Sequence, residues 1–246
     1  MLTADQAEQL AERLLADRFP SADAGFAAGS IIRGQGRALS DLDFVVLYDH
    51  LPNGRRESFT VDGTPVEAFI HDGETLRWML RVDSDAGKPG MHTMVAEGRI
   101  VGPRQDQARR WQALARDALA AGPPPMPQEM RDLYRYLITC RIEDLQDPRG
   151  PADRVATGAW LYSSLADLIL RGRGAWAATA QWIPRTLKAL DPELEAAFTA
   201  AFDALFTRQD PAPLTAFATE ALAPYGGLLF EGYLSHMPPE SRIEGG

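Results

Sequence analysis

The run Gly122-Pro123-Pro124-Pro125-Met126-Pro127 constrains this chain more than any other stretch. Proline fixes φ and has no amide hydrogen, so no helix or central strand continues through such a run. The run is stiff and extended, and it separates two stretches with different hydrophobic periods. Before it, short apolar runs that alternate like strands mix with helical stripes. After it, the pattern is helical throughout. The expected division of the 246 residues is a mixed domain over 1–121, a proline-rich linker over 122–127, a helical domain over 128–237 and a flexible tail over 238–246. The expected fold class is α+β, with a mixed sheet and flanking helices first and an all-α bundle second.

In the first half, Thr3 followed by Gln6 has the spacing of a capping box and predicts a helix to Arg18. Ala24 to Ala28 reads as a short strand leading into Gly29-Ser30, and the connector from Ser30 is expected to open a short helix stopped by Gly34 and Gly36. Asp41 to Tyr48 reads as a strand. Ser58 to Val61 and Thr64 to Ile70 read as a hairpin turning on Asp62-Gly63. Helices are expected over Glu74 to Val82, Met91 to Ala96 and Arg104 to Ala121, the last with Trp111, Leu114, Ala115 and Leu119 at helical spacing. A loop from Ser84 to Gly90 and a strand at Arg99-Ile100-Val101 complete this half.

In the second half, helices are expected over Gln128 to Gln146, Pro151 to Arg171, Gly174 to Leu190, Pro192 to Thr207 and Pro211 to Leu222. Val155, Trp160, Leu161 and Leu165 mark the apolar side of the second of these. Asp191-Pro192 and Asp210-Pro211 are strong helix starts, an N-cap followed by proline at the first helical position.

Chemistry concentrates in the stretch GSIIRGQGRALSDLDFVVLY, from Gly29 to Tyr48. Alternate residues of a strand share a face, so Asp41 and Asp43 project together at the start of an apolar strand. Paired carboxylates repel and lose hydration on burial. A divalent cation neutralises such a pair, and hard oxygen ligands suit magnesium. A serine following a glycine suits a turn whose amides face a phosphate. Glu67 is a charge in the otherwise apolar strand Val66-Glu67-Ala68-Phe69-Ile70, where alternation places it with Phe69 and apart from Val66, Ala68 and Ile70. On residue type alone it reads as a solvated glutamate on an edge strand.

Gly29-Ser30, a further glycine at 34 or 36, Asp41-x-Asp43 and Glu67 together resemble the signature of the DNA polymerase beta-type nucleotidyltransferase superfamily. The resemblance implies that the first half is a nucleotidyltransferase domain. It implies that Asp41, Asp43 and Glu67 are catalytic and ligate a pair of Mg2+ ions. ATP or another nucleoside triphosphate is then the nucleotide substrate, with its phosphates held by Gly29 and Ser30. Arg33 would add positive charge there. The division into an α/β half and a helical half resembles the aminoglycoside nucleotidyltransferase branch, and the spacing of Tyr162, Trp182 and Ala221 is similar to its streptomycin/spectinomycin-type members. In those enzymes a basic residue near the equivalent of Trp182 reaches the phosphates. Here the preceding residue is Gln181, a departure, and the nearby basic residues include Arg173 and Lys188, which are taken as nucleotide contacts. The implied activity moves a nucleoside monophosphate, AMP from ATP first, to a hydroxyl of a small molecule or protein. The alternative is a catalytically silent module that senses nucleotide or binds a partner.

A net charge of −9 argues against a broad nucleic-acid-binding face. No apolar run approaches ~18 residues, so no membrane span is expected. The N-terminal stretch is amphipathic and acidic, unlike a secretory signal. With Cys140 the single cysteine, a reducing, cytoplasmic location is expected. A homo-oligomer is left open. Glu143, Asp144 and Asp147 are weighed as a general base and read as a solvated helix end. The four histidines lack metal-ligand spacing and are expected in loops or at the surface. A nuclease-type helical domain with an Arg-x4–6-His pair is set aside, because no histidine lies between Pro127 and His236.

Overall fold

Thr3 starts the first helix, α1 (Ala4–Asp17), through the capping box expected for it: its hydroxyl accepts from the Gln6 amide at 3.2 Å and the Gln6 side chain accepts from the Thr3 amide at 2.9 Å. The computed structural model describes residues 2–237. The tail expected over 238–246 lies outside the described residues. The chain divides into two compact units, Met1–Pro124 and Pro125–Gly246, with the division inside the proline run.

In the first unit, the strands β1 (Ala24–Ala28), β2 (Leu42–Leu47), β3 (Arg55–Val61), β4 (Thr64–His71) and β5 (Arg99–Val101) form one mixed sheet in the order β3-β4-β2-β1-β5. β2 and β4 are parallel, and the other neighbours are antiparallel. β3 and β4 turn on Asp62 and Gly63, at φ 50° and 78°, the two left-handed residues of a tight hairpin. This hairpin makes β3 the edge strand, so β4 and its Glu67 lie inside the sheet.

Helices cover both faces. α1 packs Leu10, Leu14 and Leu15 into a core with Phe44, Val46, Ala68 and Ile70. On the opposite face, α2 (Gly73–Ala86), α3 (Gly90–Glu97) and α4 (Gln105–Ala121) bring Leu76, Val95 and Trp111 against Phe26, Val45 and Leu47. All five residues of β1 are therefore buried.

Several expectations for this unit are corrected. The connector after Ser30 forms one hydrogen-bonded turn rather than a helix, and Gly34 at φ 70° ends it. α2 runs through Ser84 to Ala86 instead of ending at Val82, and Gly87 caps it at φ 67°. Asp83 stays helical and uses its carboxylate to accept from the Met91 amide at 2.5 Å, which fixes the start of α3. Leu114 faces solvent at 57% exposure. His71 and His92 are buried, and burial pushes the His71 pKa down. Neither lies in a loop or at the surface.

The second unit is all-α: α5 (Gln128–Asp144), α6 (Pro151–Gly172), α7 (Ile183–Leu190), α8 (Pro192–Arg208) and α9 (Ala212–Leu222). Their core contains Ile138, Leu165, Phe198, Phe202, Leu214 and Leu222. Gly158 lets α6 approach α8, because a Cβ there would lie 2.5 Å from a Leu205 methyl. The helix expected over Gly174 to Leu190 is broken. Pro184 has no amide to donate and is accommodated in the first turn of α7, so the helix starts at Ile183. Val155 and Trp160, expected inward, are 47% and 37% exposed. Among the described residues, no helix is long and apolar enough to cross a membrane.

Candidate metal and nucleotide site

β1 ends at Ala28, the register partner of Asp43 near the start of β2, and Gly29 follows directly. Gly29 has φ 89°, and a Cβ there would run into Asp43 Oδ2. Both the backbone conformation and the close approach require glycine. The turn that follows is closed by Arg33 N donating to Gly29 O at 3.3 Å and Gln35 N donating to Ser30 O at 2.8 Å. The Ser30 hydroxyl donates to the Ser40 hydroxyl oxygen at 3.2 Å, and that oxygen also accepts from the Arg37 amide at 2.8 Å. Ser40 therefore closes the loop directly before Asp41.

Asp43 and Glu67 are register partners in the parallel strands β2 and β4, so they leave the same face of the sheet. Asp41 stands two residues before Asp43, at the entry to β2. One carboxylate oxygen from each of Asp41, Asp43 and Glu67 lies within 4.8 Å of the others, and all three residues are part-buried. Three acidic oxygens this close leave like charges poorly compensated. Burial, then Asp41, then Glu67 raise the Asp43 pKa to about 6, against the opposing pull of Arg33 and Arg56. A hard, oxygen-only donor set with an unfavourably ionised member fits Mg2+.

Among the described residues, Arg33 and Arg56 flank the carboxylates. Arg33 pairs with Glu97 at 3.2 Å while still acting on Asp43. Arg56, on the edge strand β3, forms an ion pair with Glu67 and holds its guanidinium 4.9 Å from the centre of the Phe69 ring. Sequence reasoning missed Arg56 and Ser40. Ser40, adjoining the Asp-x-Asp, was accessible as a turn-closing hydroxyl. Arg56 was not, because its role depends on how the hairpin pairs.

The structure thus gathers Gly29, Ser30, Arg33, Asp41, Asp43 and Glu67 around the joined ends of β1 and β2. Arg173 and Lys188 belong to the second unit. Arg173 pairs with Asp191 at 3.1 Å, and Asp191 caps α8. Lys188 lies in the last turn of α7. Asp144, weighed as a base, pairs with Arg141 at 2.6 Å.

No protein-family model matches this sequence, and no curated protein does. Among solved structures, the chain is similar to a nucleotidyltransferase-like protein from Exiguobacterium sibiricum. The two share 14% identity at a TM-score of 0.47, over 89% of this chain and 73% of that one. The functional reading rests on the carboxylates.

Proposed function

We propose that the chain is a magnesium-dependent nucleotidyltransferase that moves a nucleoside monophosphate, AMP from ATP first, to a hydroxyl of a small-molecule or protein acceptor. The observation that carries this reading is the convergence of the Asp41, Asp43 and Glu67 carboxylates from two parallel strands beside the Gly29 turn. Those three side chains would hold the metal. When bound, such ions would stabilise charge on the oxygens of a phosphoryl displacement.

The chain's own residues do the positioning. Gly29 allows Asp43 to lie against the end of β1, and the sheet fixes Asp43 and Glu67 side by side. Ser40 holds Ser30 beside the turn by accepting its hydroxyl proton, and that proton would turn to a phosphate oxygen when nucleotide binds. Arg33 adds a cation next to Asp43, in the position to offset polyphosphate charge.

The test is calorimetry with a non-hydrolysable ATP analogue and Mg2+ on the wild type and on Asp43→Ala, alongside a pyrophosphate-release assay with candidate acceptors. Metal-dependent nucleotide binding by the wild type alone is expected. Equal binding by both proteins removes the site. Binding without pyrophosphate release from any acceptor favours the silent nucleotide-sensing module.

A further inference from the structure

Glu67 already holds a cation supplied by the chain itself. Phe69 is the register partner of Arg56, and Ser58 is the partner of Glu67. Arg56 is thus diagonal to Glu67 on the same face of an antiparallel pair, within reach of a long side chain. The guanidinium pairs with the Glu67 carboxylate and rests over the Phe69 ring. It also acts on Asp43. The side chains of Arg56 and Glu67 are 56% and 29% exposed, so the pair is open to exchange rather than locked in a core. An ion pair this exposed contributes little to the stability of the fold.

We infer that Arg56 is a built-in competitor of the divalent cation: it neutralises Glu67 when no metal is bound and must release that carboxylate for the metal to be held. This rests on the carboxylate site proposed above and adds a residue that sets its affinity. The site without Arg56 keeps three carboxylates against the single flanking charge of Arg33, itself shared with Glu97. Removing the guanidinium therefore strengthens divalent binding, the reverse of what loss of an ordinary site residue does. It also leaves the metal-free protein with more uncompensated negative charge.

The experiment is a Mn2+ titration of the full-length protein without nucleotide, comparing wild type, Arg56→Gln and Asp43→Asn, read as free Mn2+ by electron paramagnetic resonance. The expected result is binding by Arg56→Gln about tenfold tighter than by wild type, from loss of a unit charge close to a divalent ion, and little binding by Asp43→Asn. Thermal melts give a readout that a merely structural ion pair would not. Arg56→Gln should melt below wild type in chelator and recover most of the difference in Mn2+. Asp43-dependent binding that is equal or weaker in Arg56→Gln overturns this inference and leaves the site standing. A melting deficit that Mn2+ does not reduce counts against it in the same way. Absence of Asp43-dependent Mn2+ binding in both wild type and Arg56→Gln overturns the site and the inference together.

Discussion

Gly29 and Asp43 meet at the junction of two antiparallel strands, so closely that position 29 has no room for even one side-chain carbon. The Gly-Ser turn and the first carboxylates are therefore one structural unit, and a change on one side is felt on the other. Gly29→Ala must adopt an unfavourable φ and push Asp43 away. It is expected to cost about 1–3 kcal/mol of stability and to weaken Mn2+ binding. Urea denaturation and metal titration on the same preparation check both effects.

Asp43→Asn should separate binding from folding. Asp43 carries a pKa raised to about 6 from an ordinary 3.8, chiefly by burial. Its ionised form works against the metal-free fold at neutral pH. The amide removes that repulsion, so the variant should melt higher than wild type at pH 8 in chelator, by an amount equivalent to about 1–3 kcal/mol. Added Mg2+ should raise the melting temperature of the wild type and not that of the variant. Differential scanning calorimetry with and without Mg2+ makes the comparison.

The same shift fixes a pH dependence. Because the folded-state pKa lies above the unfolded one, Asp43 favours the metal-free fold fully below pH 3.8, and this contribution is lost as pH rises through about 6. Metal binding runs the opposite way, since a proton on Asp43 competes with the ion. Mn2+ affinity is expected to be flat above about pH 7 and to fall by up to about tenfold per pH unit below about 6. Titrations of the wild type at pH 5, 6 and 7.5 read the slope.

In the helical unit, the Tyr134 hydroxyl donates to Asp167 Oδ2 at 2.5 Å, and the same oxygen lies 3.9 Å from Arg171 Nη1. Asp167 is buried in α6, and burial with this carboxylate nearby pushes the Tyr134 pKa far upward. Tyr134→Phe removes a donor from a buried charge. It is expected to destabilise the protein by about 1–3 kcal/mol without changing Mn2+ affinity. A urea melt and a metal titration test the two parts separately.

Much of the site was legible before the fold was known. The alternation of the strand placed Glu67 with Phe69 and apart from Val66, Ala68 and Ile70, and the burial pattern of β4 follows that alternation. The Asp-x-Asp spacing placed two carboxylates together, and the third joined them through the β2–β4 register. The burial of His71 and His92 was not legible, because neither carries a local signal for the helices and strands that enclose it. Arg56 lies outside the strand expected from Ser58 to Val61, and its neighbours Glu67 and Phe69 follow only from β3 starting at Arg55 and pairing with β4.

By itself, the sequence determined the features governed by near neighbours: the Thr3–Gln6 cap, the Asp62-Gly63 hairpin and the proline break. These follow from backbone sterics and hydrogen-bonding groups a few residues apart. Tertiary structure alone decided that β4 pairs in parallel with β2, and so which charges meet. Asp43, Glu67 and Arg56 are separated by 11–24 positions in the chain, and only the register of three strands brings them to one place. Strand register is chosen by the burial of whole apolar faces, so these charges, at the ends and edge of the sheet, are carried to their partners by packing they take no part in.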